Sequence, residues 1–123
     1  MTKTTSTVTA IGTHALDPAD PLVILFGESA TAALRDVAVI QQFADPNAQA
    51  TLTIAVGDQV AIGDVAYTVE RVGELANQNL QTIGHVSLIF DRIPDQPMEN
   101  ALYLKPQVKP QLQVGSTITY ITQ

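Results

Sequence analysis

The feature that most constrains this 123-residue chain is a series of short segments, most of which alternate between apolar or β-branched residues and polar ones. Alternation with a period of two predicts strands, because successive side chains of a strand point to opposite faces of the sheet. Turn residues separate the segments at short intervals, a spacing typical of barrels and sandwiches rather than of α/β folds. We predict strands over 7–12, 21–28, 50–56, 65–72, 85–91 and 116–122.

Two stretches have helical spacing. Residues 29–40 begin with Ser29, a good N-cap, and residues 74–83 end at Gly84, a common helix terminator. The proline-containing segment 105–113 is predicted to be an edge strand or an extended crossing, because proline cannot donate to a strand ladder. The length fits one domain, so we expect residues 1–123 to fold as a single unit.

Composition excludes several classes of function. Twelve acidic residues against six basic ones give a net charge of −6, which argues against a nucleic-acid surface. The chain has no cysteine, no apolar run long enough to span a bilayer and no signal-peptide pattern, so we expect a cytoplasmic protein. No phosphate-binding or dinucleotide-binding motif is present, and Asp17 and Asp20 lack the oxygen count of a calcium loop, so we expect no cofactor or metal.

Only two histidines can supply imidazole chemistry. His85 follows Gly84 and opens an alternating run, and a neutral imidazole is a competent nucleophile or base near pH 7. The other interpretation is that His85 bonds a backbone group and fixes the turn into its strand. His14 lies in the polar segment GTHALDP, where an exposed histidine commonly has no special role.

The segment YTVERVGELANQNLQTIGHVSLIFD (67–91) resembles the signature of the glucitol/sorbitol-specific enzyme IIA family of the bacterial phosphotransferase system (PTS). The preceding VGDQVAIGD and the closing VGSTITYI are similar to the same family. The resemblance implies an all-β fold, a small closed β-barrel of about six to seven strands with one or two short helices.

The resemblance also implies a phosphocarrier, and hence a phosphotransferase component, for hexitol uptake. Such a protein accepts a phosphoryl group from the histidine-containing phosphocarrier protein on one of its own histidines. It then passes the group to the IIB or IIBC sugar-transport component. An N–P bond is labile, so the protein's task is to position the imidazole and to stabilise the phosphoryl oxygens.

One position departs from the family. The family's phosphohistidine falls on Gln41 in the stretch DVAVIQQFADP, and an amide cannot replace imidazole because its nitrogen lone pair is delocalised into the carbonyl. His85 matches the family's Gly-His pair and could support the site or take over the acceptor role. The alternative function is therefore a catalytically degenerate IIA-like binding or regulatory module, and we expect little or no acid-labile phosphate unless His85 accepts it.

Overall fold

The computed structural model describes residues 1–123 and contains eight strands and three short helices. The helices are α1 (Ala32–Asp36), α2 (Pro46–Thr51) and α3 (Ala76–Ile83). The strands are β1 (Thr2–Ile11), β2 (Leu22–Phe26), β3 (Val39–Phe43), β4 (Gln59–Ile62), β5 (Val65–Val72), β6 (Val86–Ile89), β7 (Ala101–Lys105) and β8 (Thr117–Thr122). None of the helices is long and apolar enough to cross a membrane.

The eight strands form a closed barrel in the order β1-β3-β2-β6-β7-β5-β4-β8, and β8 pairs with β1 to complete the circle. Neighbours pair antiparallel except β2 with β3 and β6 with β7, which are parallel. The all-β class and the closed barrel are confirmed. The strand count is eight rather than six to seven, and three helices rather than one or two accompany the strands.

A core of 21 buried residues, contributed mainly by the strands and completed by α3 and the loops, fills its interior. Along β3, Val39 and Phe43 belong to this core, whereas Ile40 packs with Phe26 and Ala38 in a separate outer cluster. Because strand side chains alternate between faces, Gln41 points into the barrel with Val39 and Phe43. The sheet therefore has a buried inner face, and two smaller buried clusters lie beside the main core.

The strand expected over 50–56 is wrong. Helix α2 ends at Thr51, and the extended residues after it pair with no strand. Instead, the Asn77 side chain accepts from the backbone N of Ile54 at 2.8 Å and donates to the Ile54 carbonyl at 3.0 Å, and Gln81 Nε2 donates to the Leu52 carbonyl at 2.7 Å. Amide side chains of α3 thus satisfy the backbone groups that a neighbouring strand would otherwise satisfy.

The helix expected over 29–40 is shorter and starts later. Its N-cap is Thr31 rather than Ser29, and α1 ends at Asp36. From Val39 the chain forms β3 instead, because pairing with β1 and β2 outweighs the local helical spacing. The helix at 74–83 is confirmed over Ala76–Ile83, and Gly84 ends it in the left-handed conformation at φ 66°. The segment 106–113 forms no strand, which excludes the edge strand of the two interpretations.

Candidate functional site

Gln41 lies at the centre of a buried hydrogen-bond network. Its side chain is 1% exposed. Ser6 Oγ and the Tyr120 hydroxyl donate to Gln41 Oε1 at 2.6 and 2.8 Å, and Gln41 Nε2 donates to the Gly84 carbonyl at 3.0 Å. Burial raises the pKa of the Tyr120 hydroxyl, which keeps it protonated and able to donate. The amide is therefore bound at both of its polar atoms.

Strand register explains why these side chains meet. Strands β8, β1 and β3 are consecutive around the barrel, with Gln41 opposite Val8 and Ser6 opposite Ile118. Ser6 is two residues from Val8, and Tyr120 is two residues from Ile118. Inward-facing diagonal neighbours of this kind lie within reach of one another, so three strands build the network.

A recess of about 230 Å³ borders Gln41. Its lining is mostly polar, and Glu28 is its only ionisable residue. The nearby Arg35 guanidinium is already bound to Glu28, at 2.7 Å from the backbone carbonyl and 3.4 Å from the carboxylate. Stabilising a phosphoryl group requires donors or cations aimed at its oxygens. The only charge in the lining of this recess is negative, and the adjacent amide has no nucleophilic atom. The recess therefore offers few groups that could accept or stabilise a phosphoryl group.

His85 lies on the other side of the barrel wall. Its ring stacks on Phe26 with centroids 4.3 Å apart, and its Nδ1 lies 3.0 Å from the Leu25 carbonyl. Phe26 belongs to the outer cluster, whereas Gln41 faces the interior. Gln41 and His85 are linked only through the backbone, because the Gly84 carbonyl that Gln41 binds precedes His85 in the chain. The half-buried ring holds the turn into β6, and Nδ1 must donate because a carbonyl only accepts.

His14 forms a second polar arrangement that sequence reasoning missed. Its Nδ1 lies 2.8 Å from Asp36 Oδ2, and its backbone N donates to the Asp36 carbonyl at 2.9 Å. The side chains are 71% and 47% exposed, respectively. Pairing of β1 with β3 brings these two segments together across 22 residues of sequence, and a Cβ at Gly12 would collide with the Arg35 carbonyl. The glycine two residues before His14 is the one local signal of this close approach.

Asp17 and Asp20 lie in a loop whose hydrogen bonds are structural, and the Asp17 carbonyl also accepts from Lys109 Nζ at 2.6 Å. Asp17 Oδ1 accepts from the backbone N of Ala19 at 2.9 Å, and the Asp17 carbonyl accepts from Asp20. No group of three or more His, Cys, Asp or Glu side chains converges in the structure.

The barrel corresponds to a known class. Residues 3–119 match the family model of the PTS system glucitol/sorbitol-specific IIA component, and the chain belongs to this family. It is 28% identical over 116 residues to the PTS system glucitol/sorbitol-specific EIIA component of Escherichia coli (strain K12), covering 94% of this chain and 91% of that protein. The corresponding protein of Shigella flexneri is equally similar.

The fold agrees with that of a solved structure. A crystal structure of a PTS system IIA component from Enterococcus faecalis V583 superposes with a TM-score of 0.90 at 43% identity. The match covers 96% of this chain and 99% of that chain. The family match therefore extends over nearly the whole barrel, including Ser6, Gln41 and the segment that carries His85.

Proposed function

We propose that this chain is a phosphoryl-relay component of a hexitol-specific PTS, receiving a phosphoryl group from the histidine-containing phosphocarrier protein and passing it to a IIB component. The observation that carries the proposal is the family match over residues 3–119, together with the closely matching barrel. In this proposal residues 1–123 act as one domain in the cytoplasm, and the relay reaches the membrane through its partners.

Residue 41 is not the acceptor in this proposal. Its amide nitrogen is not nucleophilic, and both polar atoms of the side chain are engaged within the barrel. The recess beside it also lacks a cation among its lining residues. A relay through this chain therefore requires an imidazole elsewhere, and the sequence supplies two.

A second candidate function is favoured by the same network. A family member that keeps the barrel and docks with PTS partners, but carries no phosphoryl group, would act as a binding or regulatory module. The hydrogen bonds at both polar atoms of Gln41 support this alternative, because they make the side chain a structural part of the core.

One assay separates the two functions. The purified chain is incubated with phosphoenolpyruvate, enzyme I and the phosphocarrier protein, and acid-labile phosphate is measured by intact-protein mass spectrometry before and after acid treatment. The relay predicts one acid-labile phosphoryl group per chain. A chain that binds the phosphocarrier protein in a pull-down but remains unmodified would support the module and refute the relay.

A further inference from the structure

We propose that the phosphoryl acceptor of this chain is Nε2 of His14, held in position by Asp36. This inference rests on the proposed relay function and names its site. No comparison assigns a role to His14, and its place in an exposed loop gives no indication of one from sequence alone.

The geometry around His14 fixes one ring nitrogen and leaves the other free. The carboxylate of Asp36 accepts from Nδ1 at 2.8 Å, which places the proton on Nδ1 and the lone pair on Nε2. The second contact, from the backbone N of His14 to the Asp36 carbonyl, anchors the loop at the same residue. A nucleophile oriented by a carboxylate on its far nitrogen is the arrangement that imidazole catalysis generally uses.

Exposure separates His14 from the other imidazole. The His14 side chain is 71% exposed, so a donor protein can approach Nε2 without moving the barrel. His85 is half-buried, and one face of its ring is covered by Phe26. Transfer between two protein imidazoles needs both rings in contact with the same phosphorus atom, which favours the more exposed ring.

The transfer step balances without any further reactant. The lone pair of His14 Nε2 attacks the phosphorus of the donor's phosphohistidine, and a new N–P bond forms while the donor's N–P bond breaks. The electron pair of the broken bond returns to the donor imidazole, which leaves as a neutral ring because its other nitrogen carries a proton. The proton on Nδ1 stays between His14 and Asp36, whose carboxylate balances the positive charge that develops on the ring. Nothing is oxidised or reduced, and no water is consumed.

The complete set of histidine variants tests this assignment, since the chain has only two histidines. Wild type, His14→Gln, His85→Gln and the double variant are each incubated with phosphoenolpyruvate, enzyme I and the phosphocarrier protein. We expect wild type and His85→Gln to carry one acid-labile phosphoryl group. His14→Gln and the double variant should lose it by roughly tenfold or more in initial rate. Thermal unfolding of each variant confirms that the barrel is intact.

Asp36 is a positioning residue, and its test uses the site of attachment. Asp36→Asn should slow phosphorylation about fivefold, the scale of one exposed charge interaction. Phosphorus NMR should show wild type modified at Nε2 only and the variant modified at both ring nitrogens, because Nδ1 is no longer held by a charge. Asp36→Glu should restore Nε2 selectivity. A merely structural role would leave the attachment site unchanged.

Two results would overturn the inference. The first excludes His14 and leaves the relay intact, whereas the second excludes the relay as well. If His14→Gln is labelled as fast as wild type while His85→Gln is not, the relay stands and His14 is excluded. If wild type takes up no phosphate from the phosphocarrier protein, the relay itself fails. Phosphoramidate, a small N–P donor that needs no docking, then tests His14 alone: labelling at His14 over His85 supports its reactivity, and equal or absent labelling refutes it.

Discussion

The buried amide at Gln41 and the exposed imidazole at His14 use their polar atoms in opposite ways. Gln41 is 1% exposed and has three protein partners, so both of its polar atoms are engaged within the barrel. His14 is 71% exposed and has one side-chain partner, so its second ring nitrogen remains available. The difference teaches that the interior position contributes to structure, whereas the surface position keeps a ring nitrogen accessible and contributes little to stability.

The largest expected effect is on the interior network. Gln41→Leu keeps the side-chain volume but leaves the Gly84 carbonyl and the Ser6 and Tyr120 hydroxyls without their partner. Unsatisfied buried polar groups are costly, so we expect the free energy of unfolding to fall by about 2–4 kcal/mol. Chemical denaturation measures this change. The matched control is Gln42→Leu, at the exposed neighbouring position, which should change stability by about 0.5 kcal/mol or less.

If Gln41→Leu lowered the free energy of unfolding no more than the Gln42 control, the contrast between the buried amide and the exposed imidazole would be removed. It would mean that the three partner groups find water in the adjoining recess, and that the interior is more open to solvent than its burial indicates. Phosphorylation kinetics of Gln41→Leu sharpen the comparison further, since the His14 acceptor predicts an unchanged rate in any variant that remains folded.

Asn77 tests whether the contribution of an amide follows its burial. Its side chain is partly buried and bonds both the N and the carbonyl of Ile54, in place of a strand partner. Asn77→Ala should lower the free energy of unfolding by about 1–2 kcal/mol, less than the Gln41 substitution, because water can reach part of this site. Gln78→Ala, on the exposed side of the same helix, is the control. Hydrogen exchange at the Ile54 amide should accelerate only in the Asn77 variant.

Two tyrosine hydroxyls test, with a smaller expected effect, whether the contribution of a polar group to stability follows its burial. Tyr120→Phe removes one of the two donors to Gln41 Oε1, and Ser6 still donates, so we expect a loss of about 0.5–1.5 kcal/mol. Tyr67→Phe is the matched control, because its hydroxyl bonds the carbonyl of Val108, a residue in an exposed segment that water can solvate. Thermal unfolding should therefore show the larger decrease for Tyr120→Phe, and the reverse order would contradict a sealed interior.

Local patterning predicted the strands that end up with a clear inner and outer face. The alternation in 65–72 and 85–91 and the terminating Gly84 were sufficient for β5, β6 and α3. The alternation in 50–56 was also real, since Leu52 and Ile54 are buried, but the segment's backbone partners are side chains rather than a strand. Period-two patterning reports which side faces the core and does not report what satisfies the backbone.

The sites were predictable to different degrees. The family resemblance drew attention to Gln41 from the sequence, but its partners Ser6 and Tyr120 lie 35 and 79 residues away. The contact between His14 and Asp36 had only one local sequence signal, Gly12, and the predicted helix over 29–40 extended into the start of β3. Once 39–43 is a strand paired with β1, the two residues become neighbours at the end of that pair.

The smallest expected effect completes the comparison at the surface. Asp36→Asn removes the charge that pairs with His14, an exposed interaction worth about 0–1 kcal/mol. It also removes a negative charge at the C-terminal end of α1, where a negative charge is unfavourable, so the two effects oppose each other. We expect the free energy of unfolding to change by about 0.5 kcal/mol or less at pH 7, while the phosphorylation rate falls. A loss of stability as large as that of Gln41→Leu would show that the His14 loop depends on Asp36 for its fold, and the division between a structural interior and a chemical surface would fail.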